Sequence, residues 1–359
     1  MRFYDTLQLD PAVLKSKMRT AESPKEKRKF IFSMILRSFL IVSFSIIFIA
    51  SLSAVFGPEN NAMCVVLFCI LLSVRFVDFG YCIKDSLINL AVVFFVLLIA
   101  PSLAAQVHPI VAVFIHFIAF LTIVVMTSDL PELGNGGLCG FSYVFLSGNP
   151  VSGVVLQKRA MLTLVGFIIC GTIFFFKHYK KNKDIRFRQI LSNFHLCNDK
   201  CRWQFRFALG VSLLLSFGQL FHLQRFMWAG FAGASLLSNF SSSVSDVKQR
   251  FFHRMIGCVV GCSLFFIVYQ MVPASFHTLL GPLSGFCLGF CTDYRYKTAV
   301  NCFGALLLAT GIYGLTDSVC LRVFNNLLGV AFSTCFFILF NKLIDQPLKA
   351  KKENVICCD

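Results

Sequence analysis

Hydrophobic positions in this chain come in long unbroken runs, not in alternation. Leu90-Ala-Val-Val-Phe-Phe-Val-Leu-Leu-Ile-Ala100 is typical, and a strand of a membrane barrel would instead alternate apolar and polar residues over about ten positions. Such runs, separated by short polar breaks, predict buried or lipid-embedded helices. Apolar segments fall near 35–56, 60–75, 86–106, 108–127, 138–157 and 159–176, then near 204–222, 226–240, 255–272, 276–292, 299–314 and 321–343. The fifth is the weakest, because its apolar part runs into Gly148-Asn-Pro150, which predicts a broken or re-entrant helix.

The two sets read as one unit written twice. Arg37-Ser-Phe-Leu-Ile-Val-Ser43 opens the first and Arg206-Phe-Ala-Leu-Gly-Val-Ser212 the second. Arg159 is followed by Gly166 and Cys170, and Arg322 by Gly329 and Ser333 at the same spacing. The expected fold is an all-α polytopic membrane protein of about twelve transmembrane helices in two parallel six-helix repeats. Its expected parts are a basic N-terminal segment (1–34), a first repeat (35–176), a basic amphipathic linker (177–203), a second repeat (204–343) and a tail (344–359). Doubled bundles of this kind recur in transport proteins.

Composition sharpens this picture. The chain is 57% hydrophobic and only 14% charged, with 43 Phe, too apolar for an ordinary soluble domain. Its net charge of +16 would suggest nucleic acid in a soluble protein, but the cations cluster outside the apolar segments. They lie before residue 30, between Lys177 and Arg206, and from Lys342 to Lys352. The positive-inside rule accounts for this without nucleic acid and places both termini and the linker in the cytoplasm of a plasma (inner) membrane. An even number of crossings per repeat keeps the linker there. Ile185, Ile190, Leu191 and Phe194, with basic residues between them, predict an amphipathic linker helix lying on anionic lipid. The first apolar run follows some thirty largely polar residues without a small-residue cleavage site, so no removable signal peptide is expected.

Candidate chemistry is sparse. Most of the 16 cysteines lie in apolar runs, where Cys acts as a small hydrophobe. No pair has metal-ligand spacing, so neither a metal nor a cofactor is expected, and Cys357-Cys358-Asp359 makes no prenylation box. No nucleophile-base pair, His-Glu-x-x-His box or phosphate loop occurs, so no enzyme is expected and any transport would draw on an ion gradient. Gly257 and Gly261 share a helix face that lets a neighbour approach closely, and Gly281, Gly285 and Gly289 form a second stripe. Arg254, one turn before Gly257, could pair with an acid, a lipid phosphate or an anionic solute. Arg159 and Arg322, at the outer ends of the sixth spans, need a functional or pairing explanation. His116, deep in an apolar run, is either a hydrogen-bonded core histidine or a proton-coupling group. Asp78, Lys84 and Asp85, with Asp246, Lys248 and Arg250, suggest ion pairs that hold the bundle. Asp129, Glu132 and Gly134-Asn-Gly-Gly137 form a polar turn that could serve as a gate or as an ordinary loop.

Met227-Trp-Ala-Gly-Phe-Ala-Gly-Ala-Ser235, a polar loop, and Arg250-Phe-Phe-His-Arg-Met-Ile-Gly-Cys-Val-Val-Gly261 resemble the fusaric acid resistance protein-like (FUSC) family, which includes the aromatic acid exporters. The first repeat has Asn61-Ala-Met-Cys64 and Lys84-Asp-Ser-Leu-Ile-Asn89 in the corresponding places. Long family members carry a large soluble domain, and no activity resting on such a domain is expected of these residues. The resemblance implies efflux of small aromatic or weakly acidic compounds, with Arg254, Arg322, Arg159, His116 and Trp228 as binding or gating candidates. Implied partners are the lipid bilayer, a small organic anion, and a periplasmic adaptor or a second copy of the chain. The competing reading is a non-transporting membrane scaffold that binds lipid or an envelope partner.

Overall fold

The computed structural model describes residues 3–240 and 243–348, and among them the regular elements are all helical. In hydrocarbon a helix satisfies its own backbone, so long apolar runs have no better option. In chain order the helices are α1 (Phe3–Leu7), α2 (Pro11–Arg19), α3 (Pro24–Phe56), α4 (Asn61–Val74), α5 (Ile83–Ala104), α6 (Pro109–Thr127), α7 (Asn135–Ser147), α8 (Gly153–His178), α9 (Phe187–Ser192), α10 (Asp199–Leu220), α11 (Met227–Leu237), α12 (Val244–Met271), α13 (Leu280–Leu288), α14 (Tyr294–Tyr313) and α15 (Leu315–Phe340). A π turn, Asn341–Asp345, prolongs α15.

Six of them, α3, α5, α6, α8, α12 and α15, are long and apolar enough to cross a bilayer, and the chain is a multi-pass helical membrane protein. Large apolar side chains on their outer faces, among them Phe39, Ile47, Phe95, Ile118 and Phe176, are exposed, as lipid-facing residues must be. Each of the twelve expected segments coincides with a helix, but lengths vary. The helices α10 and α14 have 22 and 20 residues, whereas α4, α7, α11 and α13 have 14, 13, 11 and 9. The expected segment 138–157 is not one helix. It ends at Ser147 and restarts at Gly153, because Pro150 and Gly148 interrupt the ladder.

The chain divides into two compact units that cut across the sequence repeat. One comprises the residues up to Phe48 together with Phe252–Asn326; the other comprises Ile49–Phe251 and the residues from Leu327. The chain passes from one to the other within α3, α12 and α15. The first unit holds one apolar cluster of Leu14, Phe30 and Met34, backed by Phe290, and another of Cys258, Cys262, Phe265, Leu280, Cys302 and Leu306. In the second unit α6 packs against α5 and α10, while α8 packs against α4 and α5.

Caps set the helix starts. Asp293 Oδ1 accepts from the Arg295 amide (2.8 Å) at α14, and Asn198 Oδ1 accepts from the Lys200 amide (2.9 Å) at α10, satisfying donors the helix cannot. The linker departs from its expected form. Only the six residues of α9 are helical between α8 and α10, and Asp78 holds Lys181 and Asn182 in the turn that precedes it. The expected ends of the chain, including Lys349, Lys351, Lys352 and Cys357-Cys358-Asp359, lie outside the described residues.

Candidate functional site

In the first unit α12, α14 and α15 enclose a polar cluster in an otherwise apolar setting. Small residues create it. A methyl on Gly257 would lie 2.6 Å from the Arg295 carbonyl oxygen, and one on Gly261 would run into the Ala299 backbone. Helices α12 and α14 therefore touch backbone to backbone, as small-xxx-small faces allow. Arg254, one turn earlier and buried, donates through Nε to Asn326 Oδ1 (3.2 Å) and through Nη1 to Tyr294 Oη (3.1 Å). Asn326 Nδ2 in turn donates to the Arg322 carbonyl (2.8 Å). Asn326 thus joins Arg254 to the α15 backbone at Arg322, whose side chain is also buried.

Ser318, Arg322, Asn325 and Asn326 are all buried on α15. Their spacing of four, three and one places them on one helical face. That polar stripe was present in the sequence, but only Arg322 stood out there; Asn325, Asn326 and Tyr294 did not. In the same unit a cavity of about 270 Å³ is lined by Asp10, Arg37 and Lys297, with Gly285 and Gly289 in its wall. Lys297 lies one turn along α14 from Tyr294. The second glycine stripe serves two neighbours: Gly281 faces Leu307, whereas Gly285 and Gly289 face Val42 and Ser38.

The other candidates lie apart, in the second unit. Arg159 is 1% exposed and donates to Asn60 Oδ1 (3.0 Å), the Asn149 carbonyl (3.0 Å) and the Glu59 carbonyl (3.4 Å). Among the described residues no carboxylate lies within 4.0 Å of it, so its charge is solvated by amide dipoles of two loops. His116 is fully buried, its Nδ1 2.8 Å from Tyr143 Oη, joining α6 to α7. Trp228 is buried in α11.

The loop acids take linker partners. Asp78 pairs with Lys181 Nζ (3.1 Å) and accepts from Asn182 Nδ2 (2.9 Å), with His178 Nδ1 at 3.9 Å. Gly80, at φ +93°, turns its amide back onto the same carboxylate (3.0 Å), a backbone setting that glycine adopts freely. Burial alone would raise the Asp78 carboxyl, but the Lys181, Gly80 and His178 contacts outweigh it and hold it below the usual carboxylate value. Asp85 accepts from the Phe187 amide (2.9 Å) and faces Arg186 (3.7 Å). Asp129 pairs with Lys200, and Asp345 with Arg202 (3.0 Å) and Arg206 (3.4 Å). Asp246 instead accepts from the Ser243 amide and hydroxyl (2.9 and 2.8 Å) at the start of α12, and Arg250 donates to the Ser235 carbonyl (3.4 Å).

One constellation was legible only in part, as Cys258 and Cys262 four positions apart. Cys258, Cys262 and Cys302 are buried with their sulfurs all within 4.8 Å of one another. Cys302 is forty positions away on α14, so spacing along the chain could not reveal it; only the close crossing at Gly257 and Gly261 brings it in. Spacing along the chain gave no metal-ligand pattern, and the fold brings together three sulfurs that could hold an ion.

No curated protein and no solved structure matches the chain. A family model described as fusaric acid resistance protein-like matches residues 213–336, and this stretch, which carries Arg254, Tyr294 and Arg322, supports the FUSC family as the one the chain resembles.

Proposed function

We propose that the protein is a gradient-driven exporter of small aromatic or weakly acidic organic compounds, working in the inner (plasma) membrane. The observation that carries this reading is the pair of buried arginines, Arg254 and Arg322, joined through Asn326 inside the family-matched stretch. A guanidinium in an apolar bundle strongly favours an anion that can reach it. The cavity in the same unit, where Arg37 and Lys297 outnumber the single carboxylate of Asp10, offers such an anion a staging point. Its size suits a single ring better than a drug-sized molecule.

The proposal includes twelve crossings in two parallel repeats, 35–176 and 204–343, with both termini and the 177–203 linker cytoplasmic. Contacts in the second unit support it. The loop at 75–82 and Asp129 bond to linker residues and to Lys200, while the loops at 59–60 and 149 meet on Arg159. Between these two sets of loops α4, α5, α6, α7 and α8 alternate in direction, so even the short α4 and α7 run from one set to the other. A periplasmic adaptor or a second copy of the chain would complete an export path.

The test is flux in proteoliposomes under an imposed pH gradient, using a panel of aromatic acids. Wild type is expected to move at least one acid, and Arg254→Gln and Arg322→Gln to lose at least tenfold of that rate while remaining monodisperse. Absence of flux for every acid would favour the scaffold reading.

A further inference from the structure

Buried cysteines usually fill space as small hydrophobes, and Cys64, Cys139 and Cys170 in the second unit do so. Cys258, Cys262 and Cys302 differ because three sulfurs from two helices converge. Cys258 and Cys262, one turn apart on α12, have sulfurs 3.9 Å apart, and Cys302 on α14 completes a triangle no wider than 4.8 Å. A metal–sulfur bond of ~2.3 Å places trigonal sulfurs about 4.0 Å apart and tetrahedral ones about 3.8 Å apart. The triangle already has that size, and small side-chain rotations would bring its widest edge in.

We propose that Cys258, Cys262 and Cys302 form a binding site for one soft, thiophilic cation, with Cu(I) the best fit. Thiolates select soft ions, and Cu(I) accepts three sulfurs in a plane, whereas Zn(II) asks for a fourth ligand. No further Cys, His, Asp or Glu joins the group among the described residues. Charge complementarity supports the assignment. Three thiolates around a monovalent ion leave two negative charges in an apolar bundle, a costly arrangement unless offset. Buried Arg322 supplies the offset from α15, whose main chain packs on Cys258 at that very residue (Sγ to the Arg322 carbonyl, 3.9 Å). Arg254 stands one turn before Cys258. Each coordinating thiol gives its proton to the medium as the ion enters, with no change of oxidation state, so binding weakens as pH falls.

This site shares Arg322 with the exporter reading but does not require it, and its test needs no transport. Full-length protein, reduced and kept anaerobic, is titrated with Cu(I) against a Cu(I)-specific chelator, and the loaded protein is examined by X-ray absorption. The expected result is about one Cu(I) per chain with about three sulfur neighbours at ~2.3 Å. Cys302→Ser should weaken retention at least tenfold, and Cys64→Ser with Cys170→Ser should leave it unchanged. Because a core substitution can also unfold the bundle, wild type provides a second measurement. Bound Cu(I) should shield Cys258, Cys262 and Cys302 from a membrane-permeant maleimide, while the exposed Cys320 and Cys335 label as before. Retention unaffected by Cys302→Ser, oxygen or nitrogen neighbours in place of sulfur, or shielding confined to other cysteines would each overturn the proposal.

Discussion

Arg159 shows how a single buried cation is accommodated without an acid. Its guanidinium reaches two loops through Asn60, Glu59 and Asn149, and each bond replaces a water that a free arginine would keep. Hydrogen bonds to a charged group contribute more than neutral ones, roughly 1.5–3 kcal/mol each before non-additivity. Arg159→Met should therefore lower stability by about 3 kcal/mol, read as a drop in Tm in detergent, whereas the adjacent exposed Lys158→Met should change little. In the sequence Arg159 stood out as an exception to charge placement, and the anomaly was a sound signal. Its three oxygen partners were not readable, because two are main-chain carbonyls that any residue would provide. His116 illustrates the complementary case. A polar ring inside an apolar run announces a partner, and Tyr143 provides one, but the tyrosine lies on another helix 27 positions away.

At the scale of the element, close helix approach is decided by which glycines meet backbone and which meet nothing. Gly261 sits against the Ala299 main chain, while a methyl on Gly304 would meet no atom within 4 Å. Gly261→Ala should force α12 away from α14 and cost about 2 kcal/mol or more. Gly304→Ala should be neutral or stabilising by up to ~1 kcal/mol through helix propensity alone. Thermal unfolding of the two variants side by side checks both. The glycine spacing was legible in sequence; the identity of the facing helix was not. The linker is helical only over α9 for a related reason. Its apolar residues fit a helical period, but the local pattern carried no information about Asp78, which holds Lys181 and Asn182 in a turn, or about Asp85 and Asp129, which bond to the start of α9 and to Lys200 in α10. Asp78 also sets a pH dependence. Its lowered pKa means that the clamp is complete above the ordinary carboxyl value of 3.8 and is lost as pH falls through the lower folded value. Pepsin should therefore cut the 177–187 stretch only well below pH 3.8. At neutral pH, Asp78→Asn should speed tryptic cleavage there roughly fivefold, the equivalent of about 1 kcal/mol.

For the whole molecule, hydropathy and charge gave the class and a helix near each expected segment, with 138–157 broken at Gly148 to Pro150, since a bilayer leaves an apolar chain few alternatives. Parity of crossings could not be refined further from charge, because eight long helices would return the linker to the same side as twelve. The contacts of the 75–82 loop with the linker favour the larger number, since α4 must then cross despite a helical length of only ~21 Å. Reporter fusions provide the check. A phosphatase active only outside the cytoplasm should be silent at residues 78 and 190 and active at residue 150; activity at 78 with silence at 190 would rule out a crossing by α4. The compact units, by contrast, were not foreseen. Repeats are read along the chain, whereas packing joins the first span to residues more than two hundred positions later.

The paired linker has one last consequence. Lys181, Arg186, Lys200, Arg202 and Arg206 all face carboxylates of their own chain, so much of the local positive field is cancelled before it reaches any lipid headgroup. A synthetic peptide of residues 177–206 would cling to acidic vesicles far more tightly than the same stretch does within the folded protein. Its grip on the surface should emerge only when those acids are protonated or removed.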